Sequence, residues 1–179
     1  MMLSSLVLLP LLGVVLIWFL PDNISVKNCR RLALIVTALV LILTVLIAIQ
    51  FEPDLTTQQF SEYYSWIDPL GLTYHIGVDG LSLPLLILNA LLTCIAIYST
   101  NPELKRPRLY YSLLLLLNVA VMGAFLAQDL LLFFLFYEIE LIPLYLLIAI
   151  WGGEKRGYAA TKFLIYTAVS GILILASFL

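Results

Sequence analysis

Six apolar runs dominate this chain, at approximately residues 3–20, 32–50, 81–98, 110–128, 130–151 and 158–179. Each approaches the roughly 20 helical residues needed to cross a hydrocarbon core about 30 Å thick. No water inside a bilayer satisfies backbone N–H and C=O groups, so a spanning run must satisfy its own, and runs of this length do so as helices. The expected fold is an all-α membrane protein of about six transmembrane helices, one polytopic membrane domain over residues 1–179. Apolar residues make up 63% of the chain and charged ones 11%, where soluble proteins carry about half and a quarter. The first run has no basic n-region and no small-residue cleavage site, so it reads as a retained anchor rather than a signal peptide. Pro10, Pro84 and Pro143 interrupt three runs, which membrane helices tolerate when neighbours satisfy the freed backbone.

The basic residues set an orientation. Lys27, Arg30 and Arg31 lie between runs one and two, Lys105, Arg106 and Arg108 between three and four, and Lys155 and Arg156 between five and six. The opposite loops, 51–80 and the turn at Gln128-Asp129, hold neither Lys nor Arg. The positive-inside rule then puts the odd-to-even loops on the cytoplasmic, stromal or matrix side and the N-terminus on the other. The long 51–80 connection is acidic and aromatic (Glu52, Asp54, Glu62, Asp68; Tyr63, Tyr64, Trp66), suiting a short folded cap on the non-cytoplasmic side. Asp79-Gly80 opens the third helix, with Asp79 as its N-cap. Asn23-Ile24-Ser25 matches a glycosylation sequon by chance, since it falls on the cytoplasmic side.

Several function classes are excluded. Cys29 and Cys94 are too far apart for a C-x-x-C motif, and with only His75 besides, the chain cannot by itself ligate haem, an iron–sulfur cluster or structural zinc. Redox chemistry must belong to a partner. A net charge of −2 gives no reason to expect nucleic acid.

Two acids inside the fifth run carry the strongest functional signal. A carboxylate at bilayer depth costs a few kcal/mol and therefore faces a bundle interior or wet cavity, often with a function. Glu138 lies about 12 Å along its helix, near the midplane, at 1.5 Å per residue. Glu140 is two positions on, roughly 200° around the helix, so the pair cannot share a face. The alternative role for either is a neutral or ion-paired group that only fixes packing. Pro143 leaves the Ile139 carbonyl without its helical donor, a place for ordered water or a simple kink. Lys162 lies about 10 Å in from Lys155-Arg156, either snorkelling to the surface or exchanging protons from a desolvated position. Asn118, Asn89 and Ser170 fit helix-to-helix hydrogen bonding or a hydrated channel. A lone loop histidine such as His75 suits a structural role. The aromatics near run ends (Tyr63, Tyr64, Trp66, Tyr110, Tyr111, Trp151, Tyr158) suit an interfacial belt.

Three segments in order, Gly77–Pro84 (GVDGLSLP), Gln128–Gly153 (QDLLLFFLFYEIELIPLYLLIAIWGG) and Tyr158–Thr167 (YAATKFLIYT), resemble one family. They are similar to the antiporter-like membrane subunits of complex I, of M/D type (the mitochondrial ND-four homologue), and most like the D subunit of the photosynthetic NAD(P)H dehydrogenase-like complex. The resemblance implies the N-terminal part of a 14-helix antiporter-like fold that moves protons, driven by quinone reduction elsewhere. It places the family's helix-five glutamate on Glu138 and a helix-six lysine on Lys162. The usual lysine partner of that glutamate belongs to a seventh helix beyond this sequence. The apolar end ILILASFL leads us to expect a fragment or truncated product.

Proton transfer is therefore expected at Glu138 and Lys162, with Glu140, Pro143 and Asn118 as accessory candidates and Asp79 as a structural cap. Glu138 would load and release a proton as an ion pair with a lysine forms and breaks. No cofactor is expected in this chain. Iron–sulfur clusters and quinone belong to partner subunits, and the partners are other membrane-arm subunits and lipid. The thylakoid membrane is the expected location, with the bacterial plasma membrane or mitochondrial inner membrane as alternatives. Two other functions remain open: a subunit of a multi-subunit sodium/proton antiporter, and a structural or assembly element of a membrane complex.

Overall fold

A computed structural model describes residues 1–19, 25–52, 58–67, 72–101 and 103–178. Asp54, Asp68, Leu179 and most of the Asn23-Ile24-Ser25 sequon lie outside the described residues. In chain order the elements are α1 (Met2–Phe19), α2 (Val26–Gln50), β1 (Gln59–Ile67), β2 (Leu72–Val78), α3 (Ser82–Tyr98), α4 (Pro107–Leu126), α5 (Leu130–Trp151) and α6 (Arg156–Phe178). Among the described residues, five helices are long and apolar enough to cross a membrane. The other, α3, has 17 residues, about 25 Å at 1.5 Å per residue.

The helix ends follow local chemistry that hydropathy does not register. α2 begins at Val26, six residues before its apolar run, because Ser25 caps it, its hydroxyl accepting from the Lys27 amide at 3.3 Å. The polar first turns lie beside the end of α3, where Arg30 donates to the Tyr98 carbonyl and sits 5.3 Å from the centre of its ring, a cation–π distance. Pro107 opens α4 at a position where its missing N–H costs nothing. Pro84 likewise falls in the first turn of α3, so it interrupts no helical hydrogen bond. Among the described residues, Pro10 and Pro143 are the prolines that stand in helix interiors.

The 51–80 connection contains an antiparallel hairpin, with Tyr63 opposite His75 and Tyr64 opposite Tyr74. Phe60 takes a left-handed conformation (φ 56°) where the register shifts between Gln59 and Glu62, the irregularity of a β-bulge. Beyond it, the Glu62 side chain is buried and binds the start of α1. It accepts from the Leu3 amide at 2.9 Å and from the Ser4 hydroxyl, and the N-terminal ammonium stands at 2.7 Å. Burial pushes the Glu62 carboxyl up, but these donors outweigh it and hold it below the usual carboxylate range. On the other side of the hairpin, the Gln128 amide donates to the His75 carbonyl at 2.8 Å. Thr73 Oγ1 donates to Asp129 at 2.8 Å. The hairpin thus ties the start of α1 to the turn between α4 and α5.

Two buried clusters fill the bundle. One, under the hairpin, joins Leu3, Leu6, Val40, Ile76, Leu86, Met122 and Leu126. The other joins Ile17, Cys29, Val36, Ile97, Tyr111 and Leu115 toward the basic loops. α4 runs through both: 61% of its most apolar stretch is buried, against 22% for α5 and 11% for α6. α5 and α6 are therefore attached to one side of a packed four-helix body.

Candidate proton-transfer site

Asp129 starts α5, its carboxylate accepting from the Leu131 and Leu132 amides at 2.9 and 3.1 Å. This cap fixes where the helix begins, and hence the depth of the acids that follow. On the α4 side, Phe136 packs its ring onto Gly123, where an added Cβ would stand 2.3 Å from the ring. On the α6 side, the Glu138 carboxyl rests on Gly171, where an added Cβ would stand 1.9 Å from Oε1 and 3.1 Å from Cδ. The two contacts are two residues apart, roughly 200° around the helix, so α5 lies between its neighbours like a plate.

Glu140 falls one turn after Phe136 and about 40° from it, on the α4 side, and is half-buried. The two acids therefore point to different neighbours, as helical geometry requires. Glu138 is half-buried as a residue, yet its Oε1 is shielded from solvent and meets no hydrogen-bond donor among the described residues. Pro143 is buried on α5 one turn beyond Ile139.

Lys162 does not approach this point. Nine residues separate it from Gly171 on α6, about 13 Å along the axis and about half a turn around it. It is exposed, its Nζ lying 5.9 and 5.7 Å from the ring centres of Tyr158 and Tyr166. The i−4 and i+4 spacing places all three on one outward face of α6. Ser170 is also exposed.

Asn118 is almost fully buried in α4 and donates to Thr93 Oγ1 on α3 at 3.0 Å, while Thr93 donates to the Asn89 carbonyl at 2.8 Å. That is a hydrogen-bonded joint between α3 and α4, and Thr93 is a member that residue type alone did not single out. Asp79 accepts from the Leu81 and Ser82 amides at 3.0 and 2.6 Å and its carbonyl accepts from Leu83. The Ser82 amide foremost holds its carboxyl below the ordinary range. His75 stands 3.0 Å from Ser61 and edge-on to Tyr63, a place within the hairpin. Cys29 on α2, Cys94 on α3 and His75 lie on separate elements. Among the described residues no three His, Cys, Asp or Glu side chains gather to hold a metal.

Residues 127–179, which include both acids and Lys162, match the NADH:quinone oxidoreductase/Mrp antiporter transmembrane family. The chain is 43% identical over 174 residues to the NAD(P)H-quinone oxidoreductase chain 4 of Prochlorococcus marinus, covering 97% of this chain and 32% of that protein. It is 46% identical over 176 residues to a chain 4 of a Picosynechococcus species, again covering 98% and 32%. Among solved structures it superposes on a chain of respiratory complex I from Thermus thermophilus with a TM-score of 0.81 at 26% identity, covering 98% of this chain and 34% of that one. The chain spans about a third of the length of the curated relatives it matches. With more than 40% identity to these oxidoreductase chains over nearly its whole length, and its fold shared with a chain of complex I, this chain belongs to the antiporter-like membrane subunits of the complex I type.

Proposed function

We propose that the chain is part of a proton-translocating, non-redox membrane-arm subunit of an NAD(P)H or ferredoxin:quinone oxidoreductase. In that assembly Glu138 carries the proton. The observation that carries the reading is the Glu138 carboxyl, about 12 Å into α5, with one oxygen shut from solvent and from donors against α6. Holding a neutral carboxyl there, and releasing its proton when a cation approaches, is the behaviour a proton-loading group needs. Lys162 faces outward about half a turn away, so the cation that discharges Glu138 comes from another element. Lys162 serves as a second proton-transfer group nearer the basic loops. Glu140, Pro143 and Asn118 are the accessory residues.

The basic loops support an N-terminus on the non-cytoplasmic side, and the cyanobacterial relatives support a thylakoid location over a bacterial plasma or mitochondrial inner membrane. The partners are the other membrane-arm subunits and lipid. Quinone and iron–sulfur clusters reside in those partners. A multi-subunit sodium/proton antiporter is the second reading, because the family matched by residues 127–179 includes Mrp antiporters. Identities above 40% to oxidoreductase chains favour the first. Co-purification separates them, since hydrophilic iron–sulfur subunits accompany only the oxidoreductase. Replacing Glu138 with Gln tests the proton reading directly: coupled pumping should be lost while the complex still assembles, and normal pumping refutes it.

A further inference from the structure

Glu138 and Gly171 form a contact that depends on the absence of a single methyl group. An added Cβ at Gly171 would stand 1.9 Å from Glu138 Oε1 and 3.1 Å from Cδ, with Oε2 at 3.7 Å. Those three atoms are its nearest neighbours, and real Cβ contacts below 3.0 Å essentially do not occur. α6 is otherwise loosely held: Ile172 and Leu173 are 65% exposed, so no neighbouring side chain demands a glycine for close packing. Glycine in a helix interior is disfavoured relative to alanine. What occupies the volume a methyl would fill is the acid of α5. The same oxygen is shielded from solvent and from donors.

We propose that Gly171 is the positioning residue for Glu138: its bare Cα is a niche on α6 that holds the Glu138 carboxyl between proton-loading events. The inference rests on the reading of Glu138 as the proton-carrying group, but the niche itself is testable apart from pumping. With a side chain at 171 the carboxyl must swing away, because the clashing atom is the free end of a flexible chain and not backbone. The helices stay packed and the acid is misplaced. A reacting group displaced by about 1 Å commonly loses ten- to a hundredfold in rate.

The test uses the full-length subunit in its membrane complex, with Gly171→Ala, Glu138→Asp and the two combined. Reaction of Glu138 with dicyclohexylcarbodiimide, read by peptide mass spectrometry, reports access to the carboxyl, and Glu140 on the same peptide is the internal reference. Gly171→Ala should raise labelling of Glu138 relative to Glu140 several-fold, and an unchanged ratio overturns the niche. Coupled proton uptake per electron should fall about tenfold in Gly171→Ala. Aspartate draws the carboxyl back by roughly one C–C bond, about 1.5 Å, clear of the methyl. Gly171→Ala should therefore cost nothing further in a Glu138→Asp background, a coupling that identifies contact. Equal losses in both backgrounds would assign Gly171 to helix packing and overturn the proposal. Should Gly171→Ala alone fail to assemble, recovery of assembly with Glu138→Asp upholds the contact, and continued failure refutes it. If Glu138→Gln pumps normally the proton reading falls, yet the labelling ratio still decides the niche.

Discussion

A polar contact lies between α3 and α4 and another between α5 and α6, and the two are built in opposite ways. Between α3 and α4, the Asn118 amide meets the Thr93 hydroxyl, which in turn meets the Asn89 carbonyl. Between α5 and α6, the Glu138 carboxyl meets a glycine, and its buried oxygen meets no donor among the described residues. The first lies in a helix whose most apolar stretch is 61% buried, and the second beside one whose most apolar stretch is 11% buried. The Asn118–Thr93 hydrogen bond is worth little more than the packing it fixes, because the unfolded helix in a membrane also finds partners, and it leaves the Asn118 Oδ1 without a partner among the described residues. Under the proposed function, the Glu138 carboxyl is kept for the proton it carries and the Asn118–Thr93 contact for the helices it joins.

Apolar replacement should break the two contacts with opposite signs. Glu138→Leu should abolish coupled proton uptake while leaving the thermal midpoint of the detergent-purified complex unchanged or raised, since a buried polar group gives way to an apolar one. A fall of several degrees with pumping intact would reverse the assignment. Gly123→Val presses a side chain into the Phe136 ring, 2.3 Å from the first added carbon. The cost should be about 1–3 kcal/mol of stability, seen as a lower midpoint. Asn118→Leu removes one neutral hydrogen bond at a cost of about 1 kcal/mol. Proton uptake per electron should fall less in that variant than in Glu138→Gln, the mark of an accessory residue, and an equal loss would make Asn118 an essential member of the pathway.

Asp129 offers a smaller and pH-dependent effect. Burial pushes its carboxyl up, but Thr73 and the first-turn amides of α5 outweigh this and hold it below the usual range. Its unfolded reference is about 3.9. The stabilisation is therefore complete above about pH 4, and is lost as pH falls through the lower folded value. Asp129→Ala should cost about 1 kcal/mol at neutral pH, and its deficit against the parent protein should vanish in acid melts. A deficit constant with pH would assign the cost to packing. Smallest of all, Lys162→Gln should lower stability by about 0.5 kcal/mol through its lost ring contacts and reduce proton uptake less than Glu138→Gln. Equal losses in the two variants would make Lys162 a direct partner of Glu138.

What could be read without coordinates follows from which energies are local. The helices were legible because burying an apolar run in lipid fixes its structure without help from neighbours. Glu138 was legible for the same reason, since a carboxylate in such a run is costly wherever it points. The start of α2 was not, because Lys27 to Arg31 read as loop until Ser25 is seen to cap them. The hairpin strands were hidden by aromatics on both faces and by the bulge at Phe60, which breaks the two-residue alternation. Gly171 carried no signal at all. A glycine inside an apolar helix acquires meaning only when the chain that fills its place is known, and that chain lies 33 positions away. The outward face of Lys162 depended likewise on which side of α6 receives α5.

Proton uptake per electron in sealed membranes bearing the full-length complex, compared between the parent protein and Glu138→Gln at equal assembly, tests the account most directly. It should fall at least about tenfold, the scale on which one essential proton-transfer group acts, with the complex still intact. A stoichiometry equal to that of the parent would contradict it.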